Sequence, residues 1–75
     1  TQSPDARGLF AQALRLHQAG RLDDAVAHYR RAIALEPELA AAHSNLGTAL
    51  CELGLLEEAE ASYRKALALQ PGQAQ

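Results

Sequence analysis

Residues 6–39 lie over residues 40–73 without a gap. The overlay pairs Ala6 with Ala40, Leu16 with Leu50, Gly20 with Gly54, Leu22 with Leu56, Ala25 with Ala59, Ala27 with Ala61, Tyr29 with Tyr63, Arg30 with Arg64, Ala32 with Ala66, Ala34 with Ala68, Leu35 with Leu69 and Pro37 with Pro71. Asp23/Glu57, Asp24/Glu58, Arg31/Lys65 and Ile33/Leu67 add conservative pairs at the same offset. An alanine-rich chain produces chance matches among its alanines, but glycine, tyrosine and proline recurring together at one spacing is not a product of composition. A unit of this length cannot bury its own apolar face, so two of them must stack and share a core.

The punctuation inside each unit predicts two helices. Ser3, Pro4 and Asp5 supply an N-cap, a proline in the first turn and an acid facing the positive helix end, which predicts a first helix over 4–18 closed by Gly20. Asp23 and Asp24 open a second helix, with Arg30 and Arg31 read as charges near its negative end and Pro37 as its stop. The second unit predicts a helix over 38–53, a break at Gly54, Glu57 and Glu58 in the next opening turn, and Pro71 as terminator. Leu9, Ala13 and Leu16 form one apolar stripe, and Leu22, Ala25, Tyr29, Ala32 and Ile33 another. Their counterparts are Leu46, Ala49, Leu50 and Leu53, then Leu56, Ala59, Tyr63, Ala66 and Leu67.

Composition agrees and excludes competitors. Seventeen alanines and thirteen leucines against four β-branched residues argue for helices, and three aromatics leave a shallow Ala-Leu core. The net charge of -2 removes the attraction that nucleic-acid binders and polybasic membrane anchors rely on, and no apolar run reaches the roughly 20 residues of a membrane span. Cys51 is the single cysteine, so no internal disulfide forms and a reducing, cytoplasmic setting is expected. The chain starts at Thr1 with no leader, consistent with a piece whose signal lay upstream.

These residues carry a resemblance to the tetratricopeptide repeat family over 6–73. The second unit gives His43-x2-Leu46-Gly47-x2-Leu50, Ala59-x3-Tyr63 and Pro71; the first gives Leu9-x2-Gln12-Ala13-x2-Leu16, Ala25-x3-Tyr29 and Pro37, against a family pattern of W-x2-L-G-x2-Y, A-x3-F and P. Leu9 and His43 depart at the aromatic position, and Gln12-Ala13 replaces Leu-Gly. The resemblance implies one all-α domain over 1–75 (repeat one 6–39, repeat two 40–73), a right-handed stack of two antiparallel helix pairs. Its first helices would line a concave groove that binds peptides or other proteins, with no catalysis, cofactor or small-molecule substrate.

The two ends of such a stack read differently. Where the second unit has Ala42, Leu46, Ala49 and Leu53, the first has Gly8, Gln12, Arg15 and Ala19, a polar face suited to the start of a stack. After Pro71 only Gly72-Gln73-Ala74-Gln75 follow, so no capping helix is expected, and Leu53, Leu56, Tyr63 and Leu67 would leave on the order of a few hundred Å² of apolar surface uncovered. Continuation of the natural chain, a second copy about a twofold axis, or a partner would cover it. Glu60, in place of Val26, moderates that face and sits four residues before Arg64, a favourable helical pair.

Residues of the first helices outside the packing stripes should face the groove: Arg7, Phe10, Ala11, Leu14, His17 and Gln18, then Ala41, Ser44, Asn45, Thr48, Cys51 and Glu52. The stretch His43-Ser44-Asn45-Leu46-Gly47 resembles asparagine-bearing first helices of family members, including the repeats of O-linked N-acetylglucosamine transferases. There the amide holds a peptide backbone, since it both donates and accepts. Phe10 and Leu14 stand where a chaperone-tail clamp would need polar or basic groups, so an apolar groove floor for a hydrophobic side chain or amphipathic helix is expected instead.

His17 and Cys51 are the best case for an enzyme, yet equivalent residues on stacked helices are about 8–10 Å apart, too far for nucleophile activation. His28 and His43 fall on other faces, and no second cysteine completes a zinc set. The expected function is therefore a non-catalytic interaction module for a protein or peptide, or a self-association surface giving a homodimer. The alternative is a recruiting segment from a larger enzyme such as a glycosyltransferase.

Overall fold

A computed structural model describes residues 4–70, in which four α-helices follow one another: α1 (Pro4–Gln18), α2 (Leu22–Leu35), α3 (Ala40–Glu52) and α4 (Leu56–Leu69). The expected roles of Ser3 and Pro71, and of the segment after Pro71, lie outside the described residues. Helices α1 and α2 pack as one pair, α3 and α4 as a second, and α3 lies against α2 to join them. This is an all-α stack of two helix pairs.

Both pairs close the same way. Gly20 and Gly54 have φ of 80° and 84°, the left-handed region that glycine enters without a Cβ clash. Around them the amide of Gly20 donates to the His17 carbonyl and that of Arg21 to the Leu16 carbonyl, and Gly54 donates to Cys51 while Leu55 donates to Leu50. These paired bonds satisfy orphan carbonyls at the ends of α1 and α3 and reverse the chain within the three residues between helices. No side-chain cap starts α2, α3 or α4; Asp23 and Asp24, and Glu57 and Glu58, complement the positive ends of α2 and α4.

Two expectations shift. Helix α3 begins at Ala40 rather than 38, because Pro37 and Glu38 form a turn. Arg30, Arg31, Arg64 and Lys65 are not helix-end charges: α2 and α4 run on to Leu35 and Leu69, and their last turns carry no basic residue.

The core is built from small side chains around one large one. Ala6, Ala13, Ala25, Ala32, Ala42 and Ala49 are fully buried, Leu46, Leu50 and Ala59 nearly so, and Tyr29 is 0% exposed. Alanine at these positions lets helix backbones approach closely, so Tyr29 supplies much of the volume between the pairs. The anticipated stacking face of the second unit is buried at Ala42, Leu46 and Ala49 of α3 and half-buried at Leu53 just after it, whereas Gly8, Gln12 and Arg15 of α1 and Ala19 just after it are exposed. His43 occupies the aromatic position of the second unit, buried, with Nε2 donating to the Pro37 carbonyl at 2.9 Å and so tying α3 to the loop before it.

Candidate functional site

The junction between the pairs shows what the outer side of a unit accepts. Helix α3 covers Tyr29, whose ring meets Phe10 at 6.0 Å and a 52° tilt. The Tyr29 hydroxyl lies 3.1 Å from His17 Nδ1, and His17 Nε2 lies 2.6 Å from Glu52 Oε1. A carboxylate only accepts, so Nε2 carries the proton toward Glu52 and, in the neutral imidazole, Nδ1 accepts from the phenol. Burial first, and the Glu52 charge second, push the Tyr29 hydroxyl above its ordinary pKa of 10.0, so it remains a donor. Arg30 reaches across from α2 to Glu58 on α4 at 2.8 Å.

The same side of the second unit carries a different set. Ser44 stands where Phe10 does, Asn45 for Ala11, Thr48 for Leu14, Cys51 for His17, Glu60 for Val26 and Leu67 for Ile33. With serine in place of phenylalanine, the ring of Tyr63 has no aromatic neighbour beside it, and an open cleft of about 460 Å³ forms. Ala40, Ala41, Ser44 and Asn45 of α3 line one wall and Tyr63, Ala66, Leu67 and Gln70 the other. Tyr63 is half-buried, its hydroxyl 2.8 Å from Thr48 Oγ1, which in turn donates to the Ser44 carbonyl at 3.3 Å. Its ring lies so close to Gly47 that a Cβ there would stand 3.0 Å from it, so this glycine lets Tyr63 pack directly on α3. Asn45 is half-exposed and its amide has no hydrogen-bond partner among the described residues.

The structure gathers only part of the anticipated groove. Ser44 and Asn45 line the cleft, and Thr48 supports it through Tyr63. Phe10 and Leu14 are half-buried and pack against the core cluster beside Tyr29. His17 is engaged by Tyr29 and Glu52, not by Cys51, which is exposed and free; Arg7 is exposed on α1. Of the anticipated self-association residues, Leu56 and Leu67 are 62% and 51% exposed, whereas Leu53 and Tyr63 are half-buried. The expected Glu60–Arg64 pair forms at 2.7 Å. From sequence Ala66 was read only as part of a packing stripe and Gln70 was not singled out, although setting the Phe10 and Ser44 columns side by side points to the hollow they border.

This arrangement offers an apolar hollow with an amide at its edge, suited to holding a side chain and its backbone. Among the described residues no group of three or more His, Cys, Asp and Glu side chains is placed to hold a metal ion, and no helix is long and apolar enough to cross a membrane. Comparison with known families gives a match to TPR repeat over residues 13–54 and to Tetratricopeptide repeat over residues 40–73. No curated protein matches the chain, and the likeness to glycosyltransferase repeats gains no support.

Proposed function

Since the chain belongs to the tetratricopeptide repeat family, whose repeats are generally protein–protein interaction modules and typically non-catalytic, we propose that its docking seat is the cleft between α3 and α4. The observation that carries this reading is the contrast between the two units: the seat formed by α1 and α2 is covered by α3, and its counterpart on the second unit is an open hollow beside Tyr63 and Leu67. A partner segment that lies there as α3 lies on α2 buries Leu67 and the exposed edge of Tyr63. Asn45 serves polar side chains or an unpaired helix end of the segment, since its amide both donates and accepts, and Arg7, Ser44, Thr48 and Cys51 are read as bordering the concave side.

Helix α3 itself supplies the probe, because it is the segment the first seat holds. A labelled peptide copying residues 39–53 is titrated into the isotope-labelled chain, and amide shifts are followed by NMR. Saturable shifts at Asn45, Tyr63, Leu67 and Gln70, lost in Leu67→Glu, are expected. Absence of shifts at these positions with millimolar peptide would overturn the reading.

A further inference from the structure

We propose that the occupant of the cleft is a second copy of this chain, docked head to tail, with the exposed side of its α1–α2 pair standing where α3–α4 stands on the first unit. This rests on reading the α3–α4 cleft as a docking seat. Charge complementarity between the two ends of the molecule, with the internal junction as template, points to this occupant.

Across the internal junction Tyr29, Leu46 and Ala49 share one buried cluster, Val26 and Ile33 pack against it, and Arg30 reaches Glu58 at 2.8 Å. An antiparallel register that sets Tyr29 against Leu46 also sets Val26 against Ala49 and Ile33 against Ala42. Carrying this register to a copy-to-copy junction replaces each residue on the α2 side by its α4 equivalent, and each residue of α3–α4 by its α1–α2 equivalent. The Val26 and Ala49 position becomes Glu60 opposite Arg15 of the next copy. The Arg30 and Glu58 position becomes Arg64 opposite Asp24. Ile33 with Ala42 becomes Leu67 with Gly8, which keeps a large aliphatic side chain against a small one. Two departures from the internal pattern, Glu60 for Val26 and Arg15 for Ala49, fall opposite each other in this register with opposite sign, and Arg21, in place of Leu55, adds a further positive group to the receiving end.

All four charged groups are available. Glu60, Arg64, Asp24 and Arg15 are exposed, and Arg15 has no ion pair among the described residues. Glu60 and Arg64 pair with each other at 2.7 Å, and Asp24 pairs with Arg21 at 2.7 Å; such exposed pairs contribute little and are readily exchanged for intermolecular ones. On the receiving end, Arg15 and Asp24 border an open hollow of about 500 Å³ together with Gln12, Leu16, Arg21 and His28. The two surfaces belong to opposite ends of the molecule, so the contact is heterologous: association continues beyond a dimer rather than closing.

Sedimentation and light scattering of the 75-residue chain over a concentration series test this, with Arg15→Glu and Glu60→Arg as variants at exposed positions whose helicity is checked by circular dichroism. The mass is expected to climb from 8.0 kDa past the dimer without a plateau. Each single variant should associate roughly tenfold more weakly, and an equimolar mixture of the two should recover association, because each supplies the other's complementary face. A plateau at the dimer, association of Arg15→Glu equal to that of the unaltered chain, or a monomer at every concentration would each overturn the proposal. If Leu67→Glu abolishes association while Arg15→Glu does not, the cleft survives as a docking seat and the head-to-tail copy falls. If the α3 peptide also fails to bind, the cleft reading falls with it.

Discussion

Tyr29 and Tyr63 are the same residue of the same repeat, yet one is the most enclosed large side chain in the molecule and the other forms the wall of an open cleft. Tyr29 has Phe10 beside its ring, His17 on its hydroxyl and α3 above it; Tyr63 has Ser44, Thr48 and no covering helix among the described residues. The comparison teaches that a repeat unit offers one kind of seat, and that its neighbour decides whether the seat becomes core or binding surface. Covering the first seat builds the junction between the pairs, while the second seat stays uncovered among the described residues.

The largest way to break the comparison is truncation of each tyrosine. Tyr29→Ala should cost about 3–5 kcal/mol, enough to unfold much of a domain this small, whereas Tyr63→Ala should cost about half as much because part of its ring already faces water; urea denaturation of both variants measures the gap. Equal losses would mean the two seats are equally filled in solution.

Removing only the hydroxyls sharpens the same contrast. Tyr29→Phe leaves His17 Nδ1 without its partner inside the junction and should cost about 1–2 kcal/mol at neutral pH, while Tyr63→Phe, at the cleft edge where water replaces the lost bond, should cost less than about 1 kcal/mol. The unaltered chain should also lose stability as pH rises above about 10. Its folded state holds the Tyr29 phenol protonated above the unfolded value of 10.0, so the stabilisation is complete below that pH and is lost as pH climbs through the raised folded value. Alkaline denaturation curves of Tyr29→Phe should lack that component.

Ser44→Phe makes the second seat copy the first. Filling the cleft beside Tyr63 should raise stability by about 1 kcal/mol and abolish binding of the α3 peptide, read by thermal melting and by the same titration. Arg30→Ala should have the smallest effect, below about 1 kcal/mol in chemical denaturation, because both partners of its bridge to Glu58 are exposed.

Much of this architecture is written locally. The span of α1, the reversals at Gly20 and Gly54, the acidic openings of α2 and α4 and the Glu60–Arg64 pair all depend on residues within about a turn of one another, so composition, spacing and punctuation carry them. The repeat offset added the pairing of the units, and the family pattern the way they stack. What was not legible depends on groups distant in sequence. That Phe10 and Leu14 would pack half-buried against the core beside Tyr29 was not given by their spacing. Arg30 was read as a helix-end charge, although the stack brings Glu58, 28 residues away, within reach.

By itself, then, the sequence determined four helices in two like units and a junction that buries Ala42, Leu46 and Ala49 against the first pair, because helix signals and apolar periodicity act over a few residues and repeat. Only the tertiary structure decided that His17 would join Tyr29 to Glu52 and that the serine at 44 would open a cleft instead of simply shortening a side chain. The physical reason is that a side chain's neighbours across a helix stack are set by interaxial distance and register, to within a few tenths of an ångström, and spacing along the chain does not contain that precision.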